Sequence, residues 1–199
     1  MRKELFRRSI MKNRLIEKIS GKQEIAKLNL LCFPYAGAGA SVYYRWKEYF
    51  GNKVMIYAIQ LPGRENRISE PMYASVDEIM PDLLEAVGEI VKEKFILFGH
   101  SMGAKIAYEL EKRLEQSGIY ARHLIVSGSR PPHIPEPNPI CNLPKREFIR
   151  ELTRFAGTPK EILGNEEMMN FFILSAAPLH PESSASTKAD VLHHCSVSI

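Results

Sequence analysis

The chain has 199 residues, 45% apolar and 25% charged, with three cysteines and a formal charge of +4. That length suits one domain with a sizeable buried core, and the ordinary balance of apolar and charged residues excludes bulk disorder. No apolar run approaches the ~18 residues that a membrane-spanning helix needs. Cys32, Cys141 and Cys195 are too far apart for a disulfide framework or a metal-ligand spacing, so no metal and a reducing cytoplasmic setting are expected.

Residues 1–27 read as a basic leader. Residues 1–22 hold eight Lys/Arg against Glu4 and Glu17, so the positive excess lies there and the rest of the chain is slightly acidic. No apolar segment of the secretion-signal kind follows. A solvated, partly helical stretch is expected, with neither nucleic acid nor membrane as its partner.

Four apolar runs then predict buried parallel strands: Leu28–Phe33, Val54–Ile59, Phe95–Phe98 and His123–Ser127. Helical patterns separate them. Ser41–Phe50 predicts a short helix. Ser75-Val-Asp-Glu78 is a capping box opening a helix to about Val91, with Ile79, Leu83, Val87 and Ile90 on one stripe. A second helix runs from Met102 to about Gln116, with Gly118 as its stop. Strand and helix in alternation predict an α/β fold around a parallel sheet. This core spans 28–174. From about 130 to 174 a proline-rich loop (Arg130–Pro139) and short helical segments over Pro144–Phe155, Thr158–Glu161 and Glu166–Leu174 suit either a lid or a packing layer. Residues 175–199, with six serines, form a tail with no convincing strand or helix.

The sharpest chemical signal is Gly99-His100-Ser101-Met102-Gly103. It lies directly between a predicted strand and a predicted helix, the setting of a nucleophile elbow. A strand turning straight into a helix crowds its neighbours, so Gly99 and Gly103 lack side chains for a steric reason. The turn lifts the Ser101 hydroxyl above the C-terminal edge of the sheet. The Met102 N–H, at the positive end of the helix, is aimed at a developing oxyanion. A second amide is expected from the loop Phe33-Pro-Tyr-Ala-Gly-Ala-Gly39, most directly that of Tyr35. Gly37-Ala-Gly39 also begins a dinucleotide fingerprint. That reading fails because Val42 stands at the third glycine position and Gln60 where a ribose-binding acid belongs. Gln60-Leu-Pro-Gly-Arg64, with Arg67 nearby, predicts a turn carrying cations at the same edge, either solvated or facing an anionic group of a partner.

Taken together, Phe33-Pro-Tyr-Ala-Gly37, Gln60-Leu-Pro-Gly-Arg64, Phe98-Gly-His-Ser-Met-Gly103 and Ser127-Gly-Ser-Arg-Pro-Pro132 resemble a type II thioesterase of non-ribosomal peptide or polyketide synthesis, over about Leu28 to Phe172. The resemblance implies an α/β-hydrolase fold with a mostly parallel sheet, helices on both faces and a lid over 143–172. It implies hydrolysis of acyl groups from the phosphopantetheine arm of carrier domains, with Ser101 as nucleophile and the Met102 and Tyr35 amides as oxyanion donors. The implied partners are the carrier domains of a synthetase, with no cofactor beyond the arm on the substrate, and a monomer is expected. By the same analogy the sheet order runs second, first, third, fourth strand. Another acyl-handling serine hydrolase, or a non-catalytic carrier-binding fragment, remains as an alternative.

Such an enzyme places an acid and then a histidine after the serine. Past the lid only Glu182 and Asp190, and His180, His193 and His194, are available. Asp190 with His193 or His194 keeps the order, but the spacing leaves no room for the strand and helix that normally intervene. His123 falls within a strand, His133 in the proline loop, and His100 points away from the nucleophile as a packing residue. The triad acid and base are therefore unassigned. The expectation is that the reading frame shifts or the chain is cut near Phe172, leaving out the acid, the base and two strands.

Overall fold

Asn29-Leu-Leu-Cys-Phe33 forms a strand buried along its whole length, and its alternation decides how the core divides. Leu31 and Phe33 join one apolar cluster, with Leu83, Leu97, Ile106 and Leu110; Leu30 and Cys32 join a second, with Tyr43, Ile56 and Ala58. A strand with both faces covered lies in the middle of its sheet, and this one does. The computed structural model describes residues 14–20 and 26–130, together with Pro144, Glu147 and Arg150. The predicted proline loop beyond Arg130, the remainder of the lid segment, the tail, His133, His180, Glu182, Asp190, His193 and His194 lie outside the described residues.

The strands are β1 (Ile16–Ser20), β2 (Asn29–Phe33), β3 (Met55–Ile59), β4 (Phe95–His100) and β5 (His123–Ser127); the helices are α1 (Trp46–Phe50), α2 (Val76–Val87) and α3 (Met102–Gln116). The sheet order is β1-β3-β2-β4-β5. Its last four members reproduce the expected order of the predicted strands, all parallel, with Phe33 opposite Gly99 and His100 opposite Ser127. This register brings the loops leaving β2, β4 and β5 to one edge. Helices α2 and α3 cover one face, and α1 with the 3-10 turn Ala40–Tyr43 covers part of the other. Among the described residues no helix is long and apolar enough to cross a membrane.

Two expectations need correction. The leader ending at residue 27 is not wholly solvated, because Ile16–Ser20 pairs antiparallel with β3 and Leu15 is fully buried. The register slips between Lys18 and Ser20, so the segment never shows the two-residue alternation of a regular strand. Glu17 and Lys18 in this edge strand suit its position. Secondly, β4 is not buried on both faces: Phe95 and Leu97 are enclosed beneath the helices, while Ile96 and Phe98 are half-buried. Trp46 lies across Phe98 with ring centroids 4.9 Å apart, and among the described residues the second face is covered by this aromatic group.

The helix starting after Ser75 is shorter than predicted, since Gly88 ends it and Ile90–Lys92 follows as a 3-10 turn. Its cap is present: Ser75 Oγ accepts the Glu78 N–H at 3.1 Å, and Glu78 reaches back to the Ala74 N–H at 2.6 Å, one residue before the cap itself. Ser75→Ala is expected to cost about 1 kcal/mol and lower the melting midpoint by about 2–4 °C, read by thermal denaturation.

Glu111, on α3, is 7% exposed. Burial, with Glu115 adding its charge, pushes its carboxyl from 4.5 up to about 7. The folded state therefore holds this proton more tightly than the unfolded chain. The associated stability is present at low pH and is lost as pH rises from about 4.5 to about 7. Glu111→Gln is expected to flatten this dependence and raise the melting midpoint at pH 8 by on the order of a few degrees, with little change at pH 4.5.

Candidate active site

Ser101 joins β4 to α3 at φ 52°, ψ −113°. For a residue with a β-carbon this lies outside every favoured region, and holding it costs on the order of 1–3 kcal/mol. The neighbours enforce it. A Cβ on Gly99 would run into the backbone of Gly103 and Ala104, and one on Gly103 would run into the carbonyls of Phe33 and Pro34. The first turn of α3 therefore packs directly on the chain leaving β2. The turn is closed by Ser101 N–H to Ser127 O at 2.8 Å and Ala104 N–H to Ser101 O at 3.1 Å. Ser101 remains half-buried at the rim. The steric reason for both glycines read from the pentapeptide thus has a physical counterpart.

Met102 opens α3, so its N–H has no acceptor within the helix. Tyr35 supplies the first amide after β2, because Pro34 has no N–H, and its own carbonyl accepts the Ala38 N–H at 3.1 Å in a tight turn. The structure brings this loop beside the serine turn through the Gly103 contact.

The loop is held by residues whose task the sequence did not disclose. The Tyr43 hydroxyl donates to Phe33 O at 2.7 Å. Gln60, 2% exposed, accepts the Ala40 N–H at 2.6 Å and donates to Arg64 O at 3.0 Å. Glu65, at φ 47°, accepts from the Ser41 hydroxyl at 2.5 Å. A Cβ on Gly39 would lie 2.6 Å from Gln60 Oε1 and still closer to the Glu65 carboxyl. The space that a dinucleotide loop keeps open for a pyrophosphate is thus filled by the protein's own side chains.

The cations of this turn are not solvated. Arg67 is 1% exposed and donates to Gln60 O at 2.8 Å and to Glu70 at 2.5 and 3.0 Å. The Arg67 hydrogen bond holds the Glu70 carboxyl below its ordinary range. Arg64 is 5% exposed, with Nη2 3.9 Å from Met102 Sδ, and burial lowers its pKa to about 10. Arg67 is a structural clamp; Arg64 is a desolvated cation beside the residue that follows the serine.

His100 lies at this same edge, 3.0 Å from the Ser127 hydroxyl and in a T-shaped ring contact with Tyr35. His123 begins β5 at the opposite edge and is exposed, so it cannot serve Ser101. No acid and base are brought to Ser101 among the described residues. In chemical terms the site is a strained serine at a helix N-terminus beside a second loop amide, the layout that suits attack on an acyl carbon.

Comparison with known proteins gives the same picture. The chain is 40% identical over 150 residues to the gramicidin S biosynthesis protein GrsT of Aneurinibacillus migulanus, covering 74% of this chain and 59% of that protein. It is 40% identical over 144 residues to the protein named linear gramicidin dehydrogenase LgrE of Brevibacillus parabrevis, covering 71% and 55%. Among solved structures, the type II thioesterase BorB from the borrelidin biosynthetic cluster superposes with a TM-score of 0.69 at 28% identity, over 82% of this chain and 67% of that one. The chain thus spans little more than half the length of the two gramicidin relatives. The fold is of the α/β class shared with these thioesterases. With residues 28–177 matching its pattern, the chain belongs to the thioesterase domain family.

Proposed function

We propose that this chain acts as an editing thioesterase with Ser101 as its nucleophile, hydrolysing acyl thioesters from phosphopantetheine-bearing carrier domains of a non-ribosomal peptide or polyketide synthetase. The observation carrying this reading is the backbone of Ser101, φ 52° and ψ −113°, wedged between two glycines that admit no side chain. Strain of this kind is kept where the geometry serves chemistry.

In the proposed reaction the Ser101 hydroxyl adds to the thioester carbonyl carbon, its proton passing to solvent water because no base stands beside it among the described residues, and the resulting oxyanion is held by the Met102 and Tyr35 N–H groups. The C–S bond then breaks. The thiol has a pKa of about 8.5, so it leaves as thiolate with little help from an acid. Water hydrolyses the serine ester and regenerates the hydroxyl. The chain needs no cofactor of its own, because the pantetheine arm comes with the substrate. Carrier domains are the proposed partners, the cytoplasm the proposed setting and a monomer the proposed state.

The test compares an acyl-pantetheine thioester with the matching oxygen ester, using the 199-residue chain and its Ser101→Ala variant. Hydrolysis of the thioester by the first protein and not the second supports the proposal. Equal turnover of both esters makes the protein a general acyl-handling serine hydrolase. Carrier binding with no Ser101-dependent turnover makes it a binding fragment.

A further inference from the structure

His100 is the last residue of β4. Gly99 faces the first turn of α3, so strand alternation places the His100 ring on the other side of the sheet. Three contacts fix it there. Its Nδ1 lies 3.0 Å from the Ser127 hydroxyl. The Tyr35 and His100 rings form a T-shaped pair, with centroids 5.7 Å apart and an interplanar angle of 85°. Gly128, at φ +57°, passes so close that a Cβ would lie 2.5 Å from His100 Cε1 and 3.1 Å from Nδ1. These partners sit on the chain leaving β2 and at the end of β5, either side of the serine turn. The Ser127 carbonyl in addition accepts the Ser101 N–H at 2.8 Å.

We propose that His100 is a positioning residue whose ring, held between the Ser127 hydroxyl, the Tyr35 ring and the Gly128 backbone, sets the Tyr35 loop in register with Ser101. The proposal rests on the thioesterase reading above for its catalytic consequence, and on geometry alone for the clamp. An imidazole satisfies the site because one side chain must offer both a hydrogen-bonding ring nitrogen for Ser127 and an aromatic ring for Tyr35. An aliphatic residue would pack but offers neither. An oxyanion donor acts only within a few tenths of an ångström of its place, and a misplacement of 1 Å costs on the order of 10²-fold in rate.

The experiment compares the 199-residue chain with His100→Ala, His100→Asn and His100→Phe. Amide hydrogen exchange is read over 35–38 and 127–129, and kcat and KM are measured on an acyl-pantetheine thioester. In His100→Ala, exchange at both segments is expected to rise at least about tenfold, with β2 and α3 unchanged. Its kcat is expected to fall by about 10–100-fold, with KM within about twofold. Asn, which keeps a polar group where Nδ1 stood, restores protection at 127–129 alone. Phe, which keeps the ring, restores it at 35–38 alone. Unchanged exchange at 35–38 in His100→Ala overturns the clamp, as does uniformly faster exchange along the chain in all three variants. The expected exchange pattern with an unchanged kcat overturns the catalytic consequence. Absence of Ser101-dependent turnover in the unsubstituted chain overturns the thioesterase reading instead, and the exchange pattern still decides the clamp.

Discussion

Ser101→Ala is expected to abolish thioester hydrolysis while leaving the fold as stable as before. Alanine keeps a β-carbon, so the strained backbone at φ 52° is neither relieved nor worsened. Only the attacking oxygen is lost. Where a serine works with a base, removing either costs on the order of a million-fold in turnover, equivalent to about 8 kcal/mol in the barrier. A serine without an engaged base loses much less, because little nucleophilic catalysis was present to remove. The size of the drop therefore reports whether a histidine outside the described residues reaches Ser101. Ser101→Gly supplies the matching stability measurement. Glycine adopts positive φ freely, so this variant is expected to be equally inactive but more stable, by about 1–3 kcal/mol less the entropy that glycine adds to the unfolded chain. A higher melting midpoint for Ser101→Gly than for Ser101→Ala, with neither active, would show strain held at this turn for the sake of the hydroxyl. A midpoint for Ser101→Gly below that of Ser101→Ala, by the entropy that glycine adds to the unfolded chain, would mean that the turn carries no such strain.

How far the sequence reading reached follows from the range of the forces involved. The runs Leu28–Phe33 and His123–Ser127 and the stripe of α3 were legible because apolar periodicity is a local signal. The serine turn was legible for the same reason, since strand, glycine, serine, glycine and helix follow one another without a gap. The burial of Arg64 and Arg67 is not written in the local pattern, because burial of a charge depends on remote partners. Arg67 finds Glu70 nearby, but also carbonyls of Gln60 and Arg14, and the latter lies 53 positions away. Gln60 illustrates the same limit. It stood out only as the wrong residue for a ribose, whereas its side chain ties two loops together. β1 was hidden by its own irregularity. The contacts of His100 with Tyr35 and Ser127 come from strand register, which no local pattern encodes.

The steric contact between α3 and the chain leaving β2 carries the second large effect. In an exposed helix Gly→Ala stabilises by about 1 kcal/mol. At Gly103 the sign is expected to reverse. The new Cβ would occupy the place of the Phe33 carbonyl and crowd that of Pro34, and both are backbone atoms rather than the ends of flexible side chains. Phe33 cannot retreat: it is fully buried, in register with Gly99, and its carbonyl accepts the Tyr43 hydroxyl at 2.7 Å. Helix α3 cannot move outward without losing the packing of Ile106, Ala107 and Leu110 beneath it. Overpacking against such rigid surroundings costs about 3 kcal/mol, so Gly103→Ala is expected to melt about 6–12 °C below the unsubstituted chain. The displacement also falls on the segment that delivers the Tyr35 amide. Thioester turnover at a temperature where the variant is still folded is therefore expected to drop by on the order of 10²-fold. Gly88→Ala provides the control. Gly88 lies at φ −50°, and its added Cβ would meet nothing nearer than 3.4 Å, so that variant is expected to equal or exceed the unsubstituted chain in melting midpoint. If both alanines raised the midpoint, the close approach of α3 to the β2 loop would be wrong, and the pairing of Ser101 with the Tyr35 amide would lose its structural basis.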